Sequence, residues 1–146
     1  AIGDFNMISD TRGLVIERDG GEGVPEMACP EGEARSDCFA NPARFKRVYL
    51  IELPAAGNGE AVEKLAYVDL MNIEDPDGVA ITGETAGEGG TFRFPFVTIE
   101  DVDMVGEDRI VVANDNNLPF STGRRMGKAD DTEFILLEVG GMLSHE

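Results

Sequence analysis

The chain has 146 residues, room for one domain of ordinary size with a core of its own. It carries 29 Asp and Glu against 12 Lys and Arg, a formal net charge of −17. That balance argues against a nucleic-acid partner, because nothing would neutralise phosphates, and against docking on an anionic membrane. A hydrophobic fraction of 42% with eight Phe argues against a disordered acidic tail. Apolar runs such as 110–113 are far too short to span a bilayer. The acidity itself has two readings: a solvated, salt-tolerant surface, or a subset of carboxylates gathered as oxygen ligands for a hard cation such as calcium.

The elements read mainly as short strands separated by Gly, Asp and Asn clusters. No charged-plus-apolar leader follows Ala1, so any export signal is expected to have been removed with upstream sequence. Residues 4–9 alternate, and a turn at 10–13 leads to a strand at 14–18. A long loop, 20–44, holds both cysteines. Cys29 and Cys38 have no His or further Cys nearby, so zinc is a poor alternative. Their spacing suits a small disulfide-closed loop and an oxidising compartment, periplasmic or extracellular. Strands are expected at 45–53 and 65–70, with a helix fitting the linker around 58–64. Asp75-Pro76-Asp77-Gly78 starts like a calcium loop but lacks the third ligand and the closing Glu, so it reads as a turn. Gly87-Glu88-Gly89-Gly90 follows no strand–helix pattern, which argues against a nucleotide loop. Strands follow at 97–105, 109–114 and 133–139.

Self-comparison organises these elements. Residues 4–20 align without a gap on 101–117: Asp4 meets Asp101, Met7 meets Met104, Arg12 meets Arg109 and Val15 meets Val112. Residues 46–53 align on 132–139, with Leu50 on Leu136 and Glu52 on Glu138. One pattern therefore occurs twice, as 1–70 and 97–139, joined by a 71–96 loop. The first copy has a fourth strand and the second ends before one. Such units match antiparallel four-stranded blades, which need neighbours to cover both faces. The expected fold is all-β, the C-terminal part of a β-propeller completed by an upstream segment or another chain. The alternative is a self-contained β-sandwich with a duplicated hairpin. In a meander, connections alternate between the two strand ends, so the loops 20–44, 71–96 and 117–131 gather on one face.

Candidate chemistry follows from that face. The bursts Glu17-Arg18-Asp19 and Asn114-Asp115-Asn116-Asn117, with Glu100, offer hard oxygen ligands. Their plainer reading is Asx-rich turns satisfying backbone groups. Arg124 and Arg125, adjacent in an acidic chain, are suited to a phosphate or carboxylate, or to structural ion pairs with Glu17, Asp19 or Asp131. Asp130 and Asp131 open a strand and blunt its edge. His145 lies next to the C-terminus, a poor position for a general base. Ser9, Ser36, Ser121 and Ser144 lack a nucleophile-elbow context, so a Ser-His-Asp mechanism within the chain is improbable. A hydrolytic role would then call on a metal ion.

Several stretches resemble one family, the bacterial phytase-like proteins described by their esterase-like activity of phytase. They are Gly13-Leu14-Val15-Ile16-Glu17-Arg18-Asp19, Phe45-Lys46-Arg47-Val48-Tyr49-Leu50, Asp69-Leu70-Met71-Asn72-Ile73, Phe94-Pro95-Phe96-Val97-Thr98-Ile99-Glu100-Asp101-Val102, Val112-Ala113-Asn114-Asp115-Asn116-Asn117-Leu118-Pro119-Phe120-Ser121 and Asp130-Asp131-Thr132-Glu133-Phe134-Ile135. They run in order over nearly the whole chain and resemble the C-terminal portion of that domain. The resemblance implies an exported, propeller-type phosphoester or ester hydrolase. It supplies no catalytic residue, and the Cys-bearing insert 25–42 departs from the shorter loop expected. The resulting expectation is a metal-assisted phosphatase, phosphodiesterase or esterase. Glu17, Asp19, Glu100, Asp115 and Asn116 would hold calcium, and Arg18, Arg124 and Arg125 would bind a small phosphoester. The alternative is a non-catalytic, calcium-stabilised propeller module that binds or scaffolds a partner.

Overall fold

The computed structural model describes residues 1–55, 59–83 and 89–145. Strands β1 (Ile2–Met7), β2 (Arg12–Arg18), β3 (Lys46–Glu52) and β4 (Glu63–Asp69) form one sheet in chain order. A ribbon of β5 (Ile73–Asp75) and β6 (Gly90–Phe92) follows. A second sheet contains β7 (Ile99–Val105), β8 (Arg109–Asn114) and β9 (Phe134–Glu138). Every strand pair is antiparallel. Helix among the described residues is limited to a 3-10 turn at Pro25–Met27 and α1 (Gly140–Leu143). The fold is thus all-β, and no sheet closes on itself.

Two local expectations are corrected. No helix forms over the described part of 58–64: residues 59–62 are turn and irregular chain, and Glu63 and Lys64 pair with Glu52 and Ile51 of β3, because the open edge of that strand rewards extension. Asn58 lies outside the described residues, as do Gly87 and Glu88 of the glycine-rich run. The stretch expected to be loop from 71 to 96 contains the β5–β6 ribbon, too short to show a period in the sequence. Asp75 does make its turn: its buried carboxylate accepts N–H groups from Val79 at 2.8 Å and Ala80 at 3.1 Å.

Alternation along the strands builds the core. Register places Leu14 beside Leu50 and Ala66, and Ile16 beside Val48 and Val68, on one face of the first sheet. On the second sheet Val102 lies beside Val112 and Ile135, and Met104 beside Ile110 and Leu137. These two faces share one apolar cluster with Phe92, Phe94 and Phe96. Each fully buried Leu, Ile, Val or Phe there contributes about 1.5–3 kcal/mol. The sheets also meet along β1 and β7. Asp4 Oδ2 accepts the Val102 N–H at 3.0 Å, and the Asn6 amide donates to the Val102 carbonyl. A Cβ on Gly3 would fall 2.1 Å from the Ile99 carbonyl oxygen, so the close approach requires glycine.

The residues 19–45 leave β2 and return to β3 through a polar knot. Lys46 is fully buried, and its Nζ lies 2.8 Å from Asp19 Oδ1, 2.9 Å from the Asp19 carbonyl and 2.8 Å from the Gly21 carbonyl. Asp19 Oδ2 in turn accepts the N–H groups of Arg44 and Phe45, each at 2.8 Å. Burial pulls the Lys46 ammonium below its ordinary value against the attraction of Asp19. Burial alone would raise the Asp19 carboxyl; hydrogen bonds from Lys46, Arg44 and Gly21 and the Lys46 charge hold it below its ordinary value. A depressed carboxyl stabilises the fold above its unfolded value and loses that contribution as pH falls. Asp19→Asn is therefore expected to lower stability by about 2 kcal/mol at neutral pH, less than the roughly 3–5 kcal/mol of a fully buried pair because Asp19 is partly exposed. In urea titrations the wild-type advantage is full above about pH 5 and fades below the ordinary carboxyl range.

Candidate functional site

The meander carries residues 19–45, 70–98 and 115–133 to the same end of the two sheets. There the chain opens a cleft of about 620 Å³. Glu22, Phe39 and Asn41 line it from the first loop, and Val97 and Thr98 from the second. Asn117, Phe120, Ser121 and Thr122 line it from the third. Glu22 is the one charged group among the described lining residues.

Local bonding explains the shape of the walls. Asn117 adopts a left-handed backbone, φ 46°, and its N–H is held by Asp115 Oδ1 at 2.9 Å. Its amide donates to Thr98 Oγ1, and that hydroxyl donates to the Asp115 carbonyl at 2.8 Å. Asn116 Oδ1 accepts the Leu118 N–H at 3.1 Å, and the Leu118–Pro119 peptide is cis. Glu22 Oε2 accepts the Thr122 N–H at 3.2 Å and so links the first loop to the third. The other wall is braced by the Cys29–Cys38 disulfide, which the spacing had suggested. Cys38 lines the cleft, and the adjacent Phe39 packs on Gly23, where a Cβ would fall 2.2 Å from its ring.

The structure disperses the candidate ligands. Glu17 lies 2.7 Å from Lys64 Nζ on the outward side of the first sheet, and Asp19 is engaged by Lys46. Glu100 Oε1 bonds Arg18 Nη2 at 3.1 Å, while Arg18 Nη1 donates to the Val97 carbonyl at 2.7 Å. Asp115 and Asn116 hold their own turn. Among the described residues no group of three or more His, Cys, Asp or Glu is arranged to hold a metal ion. The residues expected to hold calcium therefore do not form a cage with one another.

The arginines divide. Arg124 Nε and Nη2 each lie 2.9 Å from a Glu133 carboxylate oxygen, and Nη1 donates to the Arg93 carbonyl at 2.7 Å. Its guanidinium also lies over the rings of Phe92 and Phe96, at 4.9 and 5.1 Å from their centroids. The adjoining Asp130 accepts N–H groups from Gly123 and Arg124, and burial raises its carboxyl above the ordinary value despite them. Arg125 is exposed. Ser121 is buried in the cleft wall. His145 meets Arg12 through its carbonyl at the opposite end of the strands, away from the cleft.

Sequence reasoning missed two groups. Glu22 gave no motif, since only folding brings it to Thr122 across the cleft. Arg44 and Arg93 line a second cleft of about 330 Å³ with Glu26, which lies 2.5 Å from Arg93 Nη1. They are distant in the chain, and no local pattern joins them.

These features define an all-β module of two stacked antiparallel sheets, with a disulfide-braced cleft on its long-loop face. The phytase-like family model, described as esterase-like activity of phytase, matches residues 1–118, and the chain belongs to that family. No curated protein and no solved structure matches the chain. No helix among the described residues is long and apolar enough to cross a membrane.

The two adjacent arginines are expected to behave differently. Arg124→Ala leaves the nearly buried Glu133 carboxylate without its guanidinium partner, with the Thr82 hydroxyl still bonded to it, and is expected to cost about 3 kcal/mol. Arg125→Ala is expected to stay within about 0.5 kcal/mol of wild type. Chemical denaturation of both variants checks this, and equal losses would contradict it.

Proposed function

We propose that this chain belongs to an exported hydrolase of small esters, with the larger cleft as the substrate seat. The observation that carries this reading is the chemistry of that cleft. A single carboxylate, Glu22, stands among the hydroxyls and amides of Asn41, Thr98, Asn117, Ser121 and Thr122, with no Lys or Arg among the described lining residues. Such a lining favours a neutral ester over a phosphate, whose charge it would leave unpaired. Family membership supports hydrolase chemistry in general. Glu22 is the group in the cleft able to take a proton from an attacking water, a role worth about 10²–10⁴-fold in rate. Export is supported by the disulfide, which belongs to oxidising compartments.

The phosphoester branch has its own observation. Arg44 and Arg93 face the smaller cleft, and paired guanidiniums are suited to phosphate oxygens. Calcium enters either branch only with oxygen ligands beyond those gathered here, and no step is routed through it. The two stacked sheets support a blade reading, in which further sheets of the same kind complete a propeller.

The test is hydrolysis of p-nitrophenyl acetate and p-nitrophenyl phosphate by wild type, Glu22→Gln and Arg44→Ala. Ester turnover that falls about 100-fold in Glu22→Gln supports the main reading. Phosphate turnover lost in Arg44→Ala but not in Glu22→Gln transfers the activity to the smaller cleft. Loss of activity in chelator, restored by calcium, supports metal assistance; full activity in chelator removes it. No turnover of either substrate leaves the non-catalytic binding module.

A further inference from the structure

The two large sheets are stacked in a directional way. Leu14, Val48 and Leu50 of the first sheet are buried in the cluster they share with Val102, Val112 and Leu137 of the second. The internal repeat aligns Phe5 with Val102, Val15 with Val112 and Ile51 with Leu137. It aligns Leu14 with Val111, Val48 with Phe134 and Leu50 with Leu136. Each outward face is therefore the repeat equivalent of a face already buried inside the molecule. The outward face of the second sheet exposes Phe134 at 72% and Leu136 at 53%. The outward face of the first exposes Phe5 at 46% and Tyr67 at 51%. Apolar side chains grouped this way on open sheets mark an interaction surface.

We propose that a second copy of this chain places its Phe5–Tyr67 face on the Phe134–Leu136 face of the first, repeating head to tail the packing between its own two sheets. The polar contacts repeat with it. Asp4 accepts the Val102 N–H inside the molecule, and its equivalent Asp101 is exposed on the donor face, facing the strand edge of the next copy at Phe5, whose N–H its own Asp4 already holds. Asp103, the equivalent of Asn6, is exposed beside it. The receiving face carries Arg47 over the Tyr67 ring at 4.2 Å and Lys64 over Tyr49 at 4.1 Å, both also paired with carboxylates.

One difference sets the strength. Gly3 lets β1 approach Ile99, whereas its equivalent Glu100 carries a side chain, so the stack between copies is wider at that edge and weaker than the internal one. A charge of −17 on each copy also opposes association until salt screens it. The contact is heterologous: the two copies use different faces.

Sedimentation velocity over a concentration series tests this, at low salt and at about 0.5 M NaCl. The expected result is a weight-average mass that rises to at least twice that of the monomer, at lower protein concentration in the higher salt. Phe134→Glu/Leu136→Glu disables the donor face, and Phe5→Glu/Tyr67→Glu the receiving face. All four side chains are well exposed, and circular dichroism verifies that the variants fold. Each variant alone is expected to be monomeric, with self-association weakened at least tenfold. Their mixture is expected to give one-to-one dimers and nothing larger, because each retains the face the other lacks. A wild type that stays monomeric throughout overturns the proposal. So do variants that associate like wild type, or a mixture that stays monomeric.

Discussion

The ion pair of the buried Lys46 with the partly exposed Asp19 is the constraint on which the long-loop face depends. Residues 19–45 leave one strand and re-enter its neighbour, and the knot ties both ends with one ammonium and one carboxylate. A buried ammonium is tolerable only when its donors are satisfied, and here a carboxylate and two carbonyls do so. Because the ends are fixed, the loop between them presents Glu22 and Phe39 to the cleft and Arg44 to its smaller neighbour. The disulfide then braces the distal part of the same loop. Position in the cleft is thus set in two stages, by a polar knot at the base and a covalent clasp further out.

Many of the carboxylates serve the architecture. Carboxylates hold turns at Asp75, Asp115 and Asp130, guard a strand edge at Asp4, and pair with basic groups at Glu17, Glu100 and Glu133. The two arginines that stand out in the sequence illustrate the same economy. Arg124 is clamped between a carboxylate and two rings, while Arg125 next to it is exposed. Adjacent residues on a curved loop point in different directions, so a shared role cannot be inferred from adjacency.

Strands with β-branched runs and clear turns were legible in the sequence: Arg109–Asn114 was placed to the residue, and the other large strands within about two residues at either end. The duplication was legible because both copies keep the same alternation over two hairpin strands. The direction of stacking was not, because an alternating strand such as β3 carries apolar residues on both sides and only packing selects one. The β5–β6 ribbon escaped because three residues hold no period. At the site, the spacing of the cysteines indicated their bond. The acidic bursts suggested shared ligands, but each carboxylate found a nearer partner in its own turn or on a neighbouring strand. Glu22, alone between glycines, carried no local signal at all.

The contact of Asp4 and Asn6 with Val102 has a consequence for how the chain is made. Nearly a hundred residues separate these partners, so during synthesis the β1 edge of the first sheet lacks this contact until β7 is made. The polar side chains that bind Val102 also occupy the β1 edge themselves: Asp4 accepts the Phe5 N–H, and the Asn6 amide lies within reach of Asp4. An edge carrying charge recruits stray strands poorly. The same two residues act first as a guard on an unfinished sheet and later as the latch that joins it to its neighbour.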